Sequence, residues 1–475
     1  MTGGRTTIMG DSTTSGSVSQ TATQPRLRRV LSLWDLIFYG IILIMPIAAV
    51  PLFGIAQKLS NGHSVTTILI AMVAMMLTAF SYGRMAALYP SAGSAYNYVG
   101  RGLNPHLGFL AGWAMFLDYL IVPLICTIYG TLTVVRVIEP LLPGVPHRVL
   151  YVLVAALFAG TMTFLNLRGI RATAHANIIL LVIMCGVIGV FIVLAIRYLF
   201  LGQSWGGLFS TLPFYNPATF HFHSIATATS LAALTYIGFD GVTTLAEDVK
   251  NPKRNVLLAT VMVCLFTGIF SGLQIYLAQR VWPDWHSFQN LETAFMDVTR
   301  RVGGALLFQA MGITLILANL GSGLTGQVGA ARLLFGMGRD NVLPRKIFGY
   351  LDPKHNNPSR NIWIVGILAF TGALLLDYEL AAECLNFGAF MAFMGVNLAT
   401  LREFYFQRKT ERKRNFLGDF LVPGLGFVFC LGIWISLPRP AKIVGGTWFT
   451  AGLVYDAIKT GGFRRRPAML DFSES

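Results

Sequence analysis

Charge is what this chain has least of. Only 12% of its 475 residues are Asp, Glu, Lys or Arg, against roughly 25% in an ordinary soluble domain. That shortage excludes a water-soluble globule. Cysteine is scarce too: Cys126, Cys185, Cys264, Cys384 and Cys430 stand at no ligand-like spacing, which excludes a disulfide-stapled fold and reads as buried soft packing. The eight His are scattered, with no HExxH pair and no Cys/His cluster, so neither a metal nor a redox cofactor is expected. No nucleophile and base fall into a catalytic pattern, so an enzyme is not expected. Residues 1–30 lack any apolar stretch and hold eleven Ser or Thr and four Gly. They read as a disordered tail rather than a signal peptide.

What the chain has in abundance is apolar surface, 54% of it hydrophobic, with 34 Phe, 16 Tyr and 8 Trp. Runs as long as 178–199 favour spanning helices over a barrel, because a helix satisfies its own backbone in hydrocarbon. The pattern predicts an all-α polytopic membrane protein with twelve spans, at 33–57, 64–89, 107–137, 148–167, 174–200, 223–248, 255–280, 304–338, 361–376, 378–402, 418–437 and 441–459. The net charge of +15 would suggest nucleic acid, but its placement says otherwise. Connections after even-numbered spans, together with the two tails, hold 27 of the 36 Lys and Arg. This is the positive-inside signature of cytoplasmic termini. The run from Arg402 to Arg414 reads as a loop facing anionic lipid, and no nucleic-acid partner is expected.

Two spans are punctuated near mid-membrane. Span 1 contains Gly40, Pro46, Pro51 and Gly54, and span 6 contains Tyr236-Ile237-Gly238-Phe239-Asp240-Gly241. Transporters break matching helices in this way to expose backbone groups to a midplane site; for span 1 a proline kink or glycine-mediated packing is the alternative. Asp240, between two glycines, would cost roughly 2.5–3.5 kcal/mol in lipid unless it faces a cavity or partner, which makes it a functional candidate. Asp118 of span 3 is the other deep carboxylate. It could bind a cation, carry a proton or accept hydrogen bonds between helices. In span 8, Asn319, Ser322 and Thr325 share a helix face and could bond a neighbouring helix or line an ion or substrate site. Glu383 and Asp456, nearer span ends, read as wet or paired structural carboxylates. Glu247 and Asp248 read as gate or anchoring salt bridges.

Three stretches stand in order along the chain: Pro90-Ser91-Ala92-Gly93-Ser94-Ala95-Tyr96-Asn97-Tyr98, the span 6 segment running on to Val249-Lys250-Asn251-Pro252-Lys253-Arg254, and Met337-Gly338-Arg339-Asp340-Asn341-Val342-Leu343-Pro344. They resemble the amino acid-polyamine-organocation transporter superfamily. Ser81-Tyr82-Gly83, Asn104-Pro105-His106 and Leu117-Asp118-Tyr119-Leu120 add a likeness to its bacterial putrescine importers. The resemblance implies a five-plus-five inverted repeat with discontinuous helices 1 and 6, and alternating access about a central site. The domains would then be a tail at 1–30, a transport core at 31–402, peripheral spans 11 and 12 at 403–460, and a tail at 461–475. It also implies that Tyr96 and Asp240 contact substrate or form its inner gate.

The chain departs from the family pattern in several places. Leu234 and Gly326 occupy positions where relatives carry aromatic residues, Gly40 is not followed by a second glycine, and no Lys or Arg lies between 174 and 196. The bulky residues after Gly40 favour an amine without a carboxylate. The expected function is import of a small organic cation, putrescine or a related polyamine, across the bacterial cytoplasmic membrane, coupled to a co-transported proton or sodium ion. The alternative is an amino acid permease of the same superfamily. Gly40, Tyr96, Tyr236, Gly238 and Asp240 are the candidate substrate-binding residues, and Asp118, Asp240, Ser322 and Thr325 the candidate coupling residues.

Overall fold

The computed structural model describes residues 31–90, 94–169, 174–339, 343–353, 357–407, 415–465 and 467. The N-terminal tail, most of the loop to Arg414, most of the C-terminal tail, Ser91-Ala92-Gly93 and Asp340-Asn341-Val342 lie outside them. The described chain is helical, with no strand among its residues beyond a single parallel bridge from Leu31 to Val249. Nine stretches are long and apolar enough to cross a bilayer, and they fall at spans 2–8, 10 and 11.

Span 1 is divided into α1 (Leu33–Ile44) and α2 (Phe53–Leu59). Span 2 is α3 (Ser64–Leu88), and the short α4 (Ser94–Gly102) joins it to span 3, α5 (Pro105–Ile138). Spans 4 and 5 are α6 (His147–Leu167) and α7 (Ala174–Leu208). Span 6 is α8 (Phe222–Ala232) followed by two tight 3-10 segments, Ala233–Tyr236 and Phe239–Asp248. Then come α9 (Pro252–Val281), α10 (Ala294–Arg339), the single turn α11 (Arg345–Phe348), α12 (Ser359–Leu375), α13 (Tyr378–Leu401), α14 (Val422–Ser436) and α15 (Arg439–Lys459). Among the helices at the other expected spans, α1 and α12 are short and α15 is more polar.

Local sequence sets the ends. Ser32 and Asp35 form a reciprocal capping box at α1, Asn104 caps α5 ahead of Pro105, and Asp377 caps α13, each satisfying amides that a helix start leaves without partners. The helices pair in a fixed order. The second half of span 6 packs on α1, α9 on α3, α10 on α5 and α12 on α6. Spans 1 to 4 thus each lie against the span five later, as two related five-span halves would place them.

The connections gather at two ends of the bundle. At one end Arg84 bonds Asp419 at 2.6 Å, and Arg402 donates to the carbonyls of Gly102 and Leu103. Arg402 therefore packs on protein rather than lipid. At the other end Arg136 bonds Asp297 at 2.6 Å and Arg280 donates to the Gly207 carbonyl at 3.0 Å.

Four cysteines are buried, but Cys185 is exposed. It lies on α7, whose apolar span is the least buried of the nine, so its face is turned outward and soft packing does not describe it. Asp456 is paired as expected, with His106 at 2.8 Å. Asp248 contributes its backbone carbonyl, which accepts from the Leu31 amide at 3.0 Å.

Gln327 is the polar hub of α6, α10 and α12. It accepts from Asn166 at 2.8 Å and donates to Thr163 at 2.9 Å and to the Ile362 carbonyl at 3.1 Å. Gln327→Leu removes one hydrogen bond from each of three buried groups, each bond contributing about 0.5–1.5 kcal/mol. A lower melting temperature in detergent is expected, and an unchanged one would count against the hub.

Candidate functional site

Span 1 does not break at Gly40. The helix continues to Ile44 and ends at Met45, whose φ of 67° is in the left-handed region, and the chain then turns through Pro46 to Leu52 before α2 begins. Pro46 and Pro51 cannot donate to a helical ladder, which explains why the interruption lies there. Gly40 instead permits close packing: a Cβ there would stand 2.6 Å from Val263 and 2.8 Å from Val242.

Span 6 breaks where the sequence placed it. Ile237 is extended and Gly238 has φ 114°, a conformation that costs an L side chain dearly and glycine little. The two interruptions lie side by side. A Cβ on Gly238 would stand 3.5 Å from the Leu43 carbonyl, and one on Gly241 only 2.7 Å from the Leu43 side chain.

Asp240 occupies the first turn of the second 3-10 segment, where unpaired amides favour negative charge. The amides of Gly238, Asp240 and Gly241 surround its carboxylate, and Ser94 from α4 lies beside it. The Ser94 hydroxyl is buried next to that carboxylate. Asp118 approaches from α5, and Asp118, Asp240, Tyr39 and Tyr119 are electrostatic neighbours. Both carboxylates remain partly accessible. Among the described residues, neither forms a salt bridge with a Lys, Arg or His. Two neighbouring acids without a cation repel unless a proton or a cation joins them, and nearby tyrosine rings can supplement that cation's binding.

The other expected residues divide. Tyr96 is buried on α4, with its ring against Gly112 of α5 at 2.9 Å from a Cβ built there. Tyr236 is fully buried and donates to the Ile68 carbonyl at 2.8 Å, so it braces span 6 on α3. Thr325 donates back to the Gly321 carbonyl at 3.0 Å, and Ser322 lies beside Cys126 of α5. Gly326 and Gly329 of the same helix lie against Val122 and Tyr119, so this face seats α10 on α5. Glu383 is neither wet nor ion-paired: it is 1% exposed and accepts from Ser230 at 2.9 Å. The sequence reading missed Ser94, Tyr39 and Tyr119, although each adjoins a residue already singled out.

Comparison with known proteins agrees with this architecture. A family model described as amino acid permease matches residues 31–455. The chain is 32% identical to the low-affinity putrescine importer PlaP of Escherichia coli, covering 95% of this chain and 98% of that protein. It is 27% identical to the methylthioribose transporter of Bacillus subtilis, covering 92% and 95% respectively. With the branched-chain amino acid permease BcaP of the same organism it shares 24% identity, over 92% of this chain and 94% of the relative.

Gly238→Ala forces a side chain into the left-handed region beside Leu43. A loss of about 1–3 kcal/mol in stability is expected, together with reduced substrate uptake. Wild-type melting and uptake would show that the interruption does not need this conformation.

Proposed function

The chain belongs to the amino acid permease family, a family of transporters rather than enzymes, and from that premise we propose that it imports a small organic dication of the putrescine class by alternating access. It is a multi-pass membrane protein. The proposed setting is the bacterial cytoplasmic membrane, with twelve spans and both termini inside, as the distribution of Lys and Arg supports. The core at 31–402 would do the transport, with spans 11 and 12 peripheral.

The observation that carries the substrate reading is the Asp118–Asp240 pair with Tyr39 and Tyr119 beside the two helix interruptions. A dication supplies two positive charges to two carboxylates that, among the described residues, form no salt bridge. In this reading Asp240 and the Gly238 turn hold one amine, Asp118 holds the other, and Tyr96 lines the approach on α4. The importer of 32% identity supports the same class. The uptake would be ion-coupled, by a proton or sodium ion.

An amino acid substrate is the second reading, supported by the branched-chain permease relative. It would place a carboxylate at the backbone amides beyond Met45 and leave the acid pair to the amine. Competition distinguishes the two: excess putrescine is expected to abolish uptake of labelled putrescine, and excess branched-chain amino acids to leave it intact. The reverse order would install the second reading.

Asp240→Asn and Asp118→Asn each remove one counter-charge while preserving shape. A hydrogen bond to a charged group is worth about 1.5–3 kcal/mol, so apparent affinity for putrescine is expected to fall roughly ten- to hundredfold. Undiminished uptake by both variants at equal expression would remove the pair from the site.

A further inference from the structure

A second polar centre lies on the other side of the span 6 interruption from Asp240. Glu383 and Asn386, three residues apart on α13, present one face of that helix to the last turns of α8. Asn386 donates to the Ser230 carbonyl at 2.7 Å, and the Ser230 hydroxyl lies 2.9 Å from Glu383 Oε1. Glu383 and Asn386 are 1% and 0% exposed, and Ser230 is fully buried. The half-span that must move if access alternates is therefore clasped to α13 by a carboxyl and an amide.

The protons do not suffice for an ionised Glu383. The Ser230 hydroxyl has one proton and two acceptors in reach, Glu383 Oε1 and the Thr227 carbonyl at 2.7 Å. Glu383 Oε2 and Asn386 Oδ1 are both buried and close no hydrogen bond, with the Asn386 side chain itself next to Glu383. One added proton on Glu383 supplies the missing donor and removes the charge. Among the described residues, the ionisable groups around it form no salt bridge with it. Glu379 lies one turn earlier on α13, with Asp377 at the helix cap and Lys58 of α2 as its electrostatic neighbours, and Cys384 is adjacent in sequence. From α5, Tyr129 rests its ring on Tyr378 at the start of α13. The described part of α14, which also packs on α8 and α13, brings no charged residue.

We infer that Glu383 carries the coupling proton, holding it while α8 is clasped to α13 and releasing it to water when the half-span swings away. The O–H bond breaks to water on one side of the membrane and re-forms from water on the other, with no electron transferred. Asp118 and Asp240 are then left to the substrate. This rests on the alternating-access reading, and on no particular substrate.

The test has two arms, both on the full chain. In infrared difference spectra at neutral pH, the carbonyl stretch of a protonated buried carboxyl is expected in the wild type and is expected to vanish in Glu383→Gln. Its absence from the wild type would overturn the inference whatever the substrate. In proteoliposomes, Glu383→Gln is expected to exchange putrescine at equal pH but to lose both acceleration by an inside-alkaline gradient and substrate-linked proton influx to a trapped dye. Gradient-driven accumulation by that variant would overturn it. A wild type that carries no putrescine would sink the substrate reading and leave the infrared arm to decide Glu383. Where Glu383→Gln does not fold, Glu383→Asp keeps the proton on a shorter arm. A shifted carboxyl band then supports the assignment, and an unshifted one refutes it.

Discussion

A backbone that leaves the helical ladder at membrane depth must find its hydrogen bonds inside the protein, and this chain leaves it at Met45 and at Gly238. The two interruptions are placed together, so one set of neighbours serves both. Gln274 of α9 donates to the Pro46 carbonyl at 2.9 Å. Thr243 and Thr244 bond back to the carbonyls of Asp240 and Gly241, Tyr236 reaches α3, and Phe239 is fixed edge-on against Tyr82 and tilted on Phe393. With the flanking chain held so firmly, the amides around Asp240 can be left facing its carboxylate.

The rest of the bundle supplies rigidity at this place. The long α5 receives α4, α6, α10, α12, α13 and α15, and small residues let them come close: Gly108 and Gly112 under α4, Gly130 under Phe158, and Gly388 of α13 against the Ala114 carbonyl. On its outer side Trp113 stacks on Trp448 and Tyr455 of α15. Asp118 thus stands on the most heavily supported helix, and Asp240 on the least regular one. In the proposed reading a cation held between them ties a fixed part of the protein to a part able to move. That is the coupling alternating access requires, because a ligand shifts a conformational equilibrium only through differential contact with its two states.

The spans were legible because hydropathy in lipid is a strong constraint, and the span 6 break because Gly-Phe-Asp-Gly pairs a left-handed position with a costly charge. The span 1 break was displaced by several residues. Gly40 carries the same one-letter signal whether it opens a helix or lets Val242 and Val263 approach, and only the packing distinguishes these. Ser94, Tyr39 and Tyr119 were hidden for a related reason: their role comes from the convergence of three separate elements on Asp240, which no local pattern records. Glu383 was misjudged from its nearness to a span end. Sequence distance from a boundary says little about depth where α12 and α13 are joined by only Leu376 and Asp377.

The carboxylates themselves fall into two physical kinds. Asp118 and Asp240 are deep but partly accessible, next to phenol rings and, for Asp240, backbone amides, so in the proposed reading both are open to an arriving cation. Glu383 is sealed among neutral donors that are one proton short. A sealed acid next to a hinge can change its charge only when the hinge opens, whereas an accessible pair can exchange ligand whenever its cavity faces water. Uniting both tasks in one residue would let substrate and proton compete for the same oxygen atoms. In the proposed reading, placing them on opposite sides of the Gly238 turn lets motion of a single half-helix communicate between them.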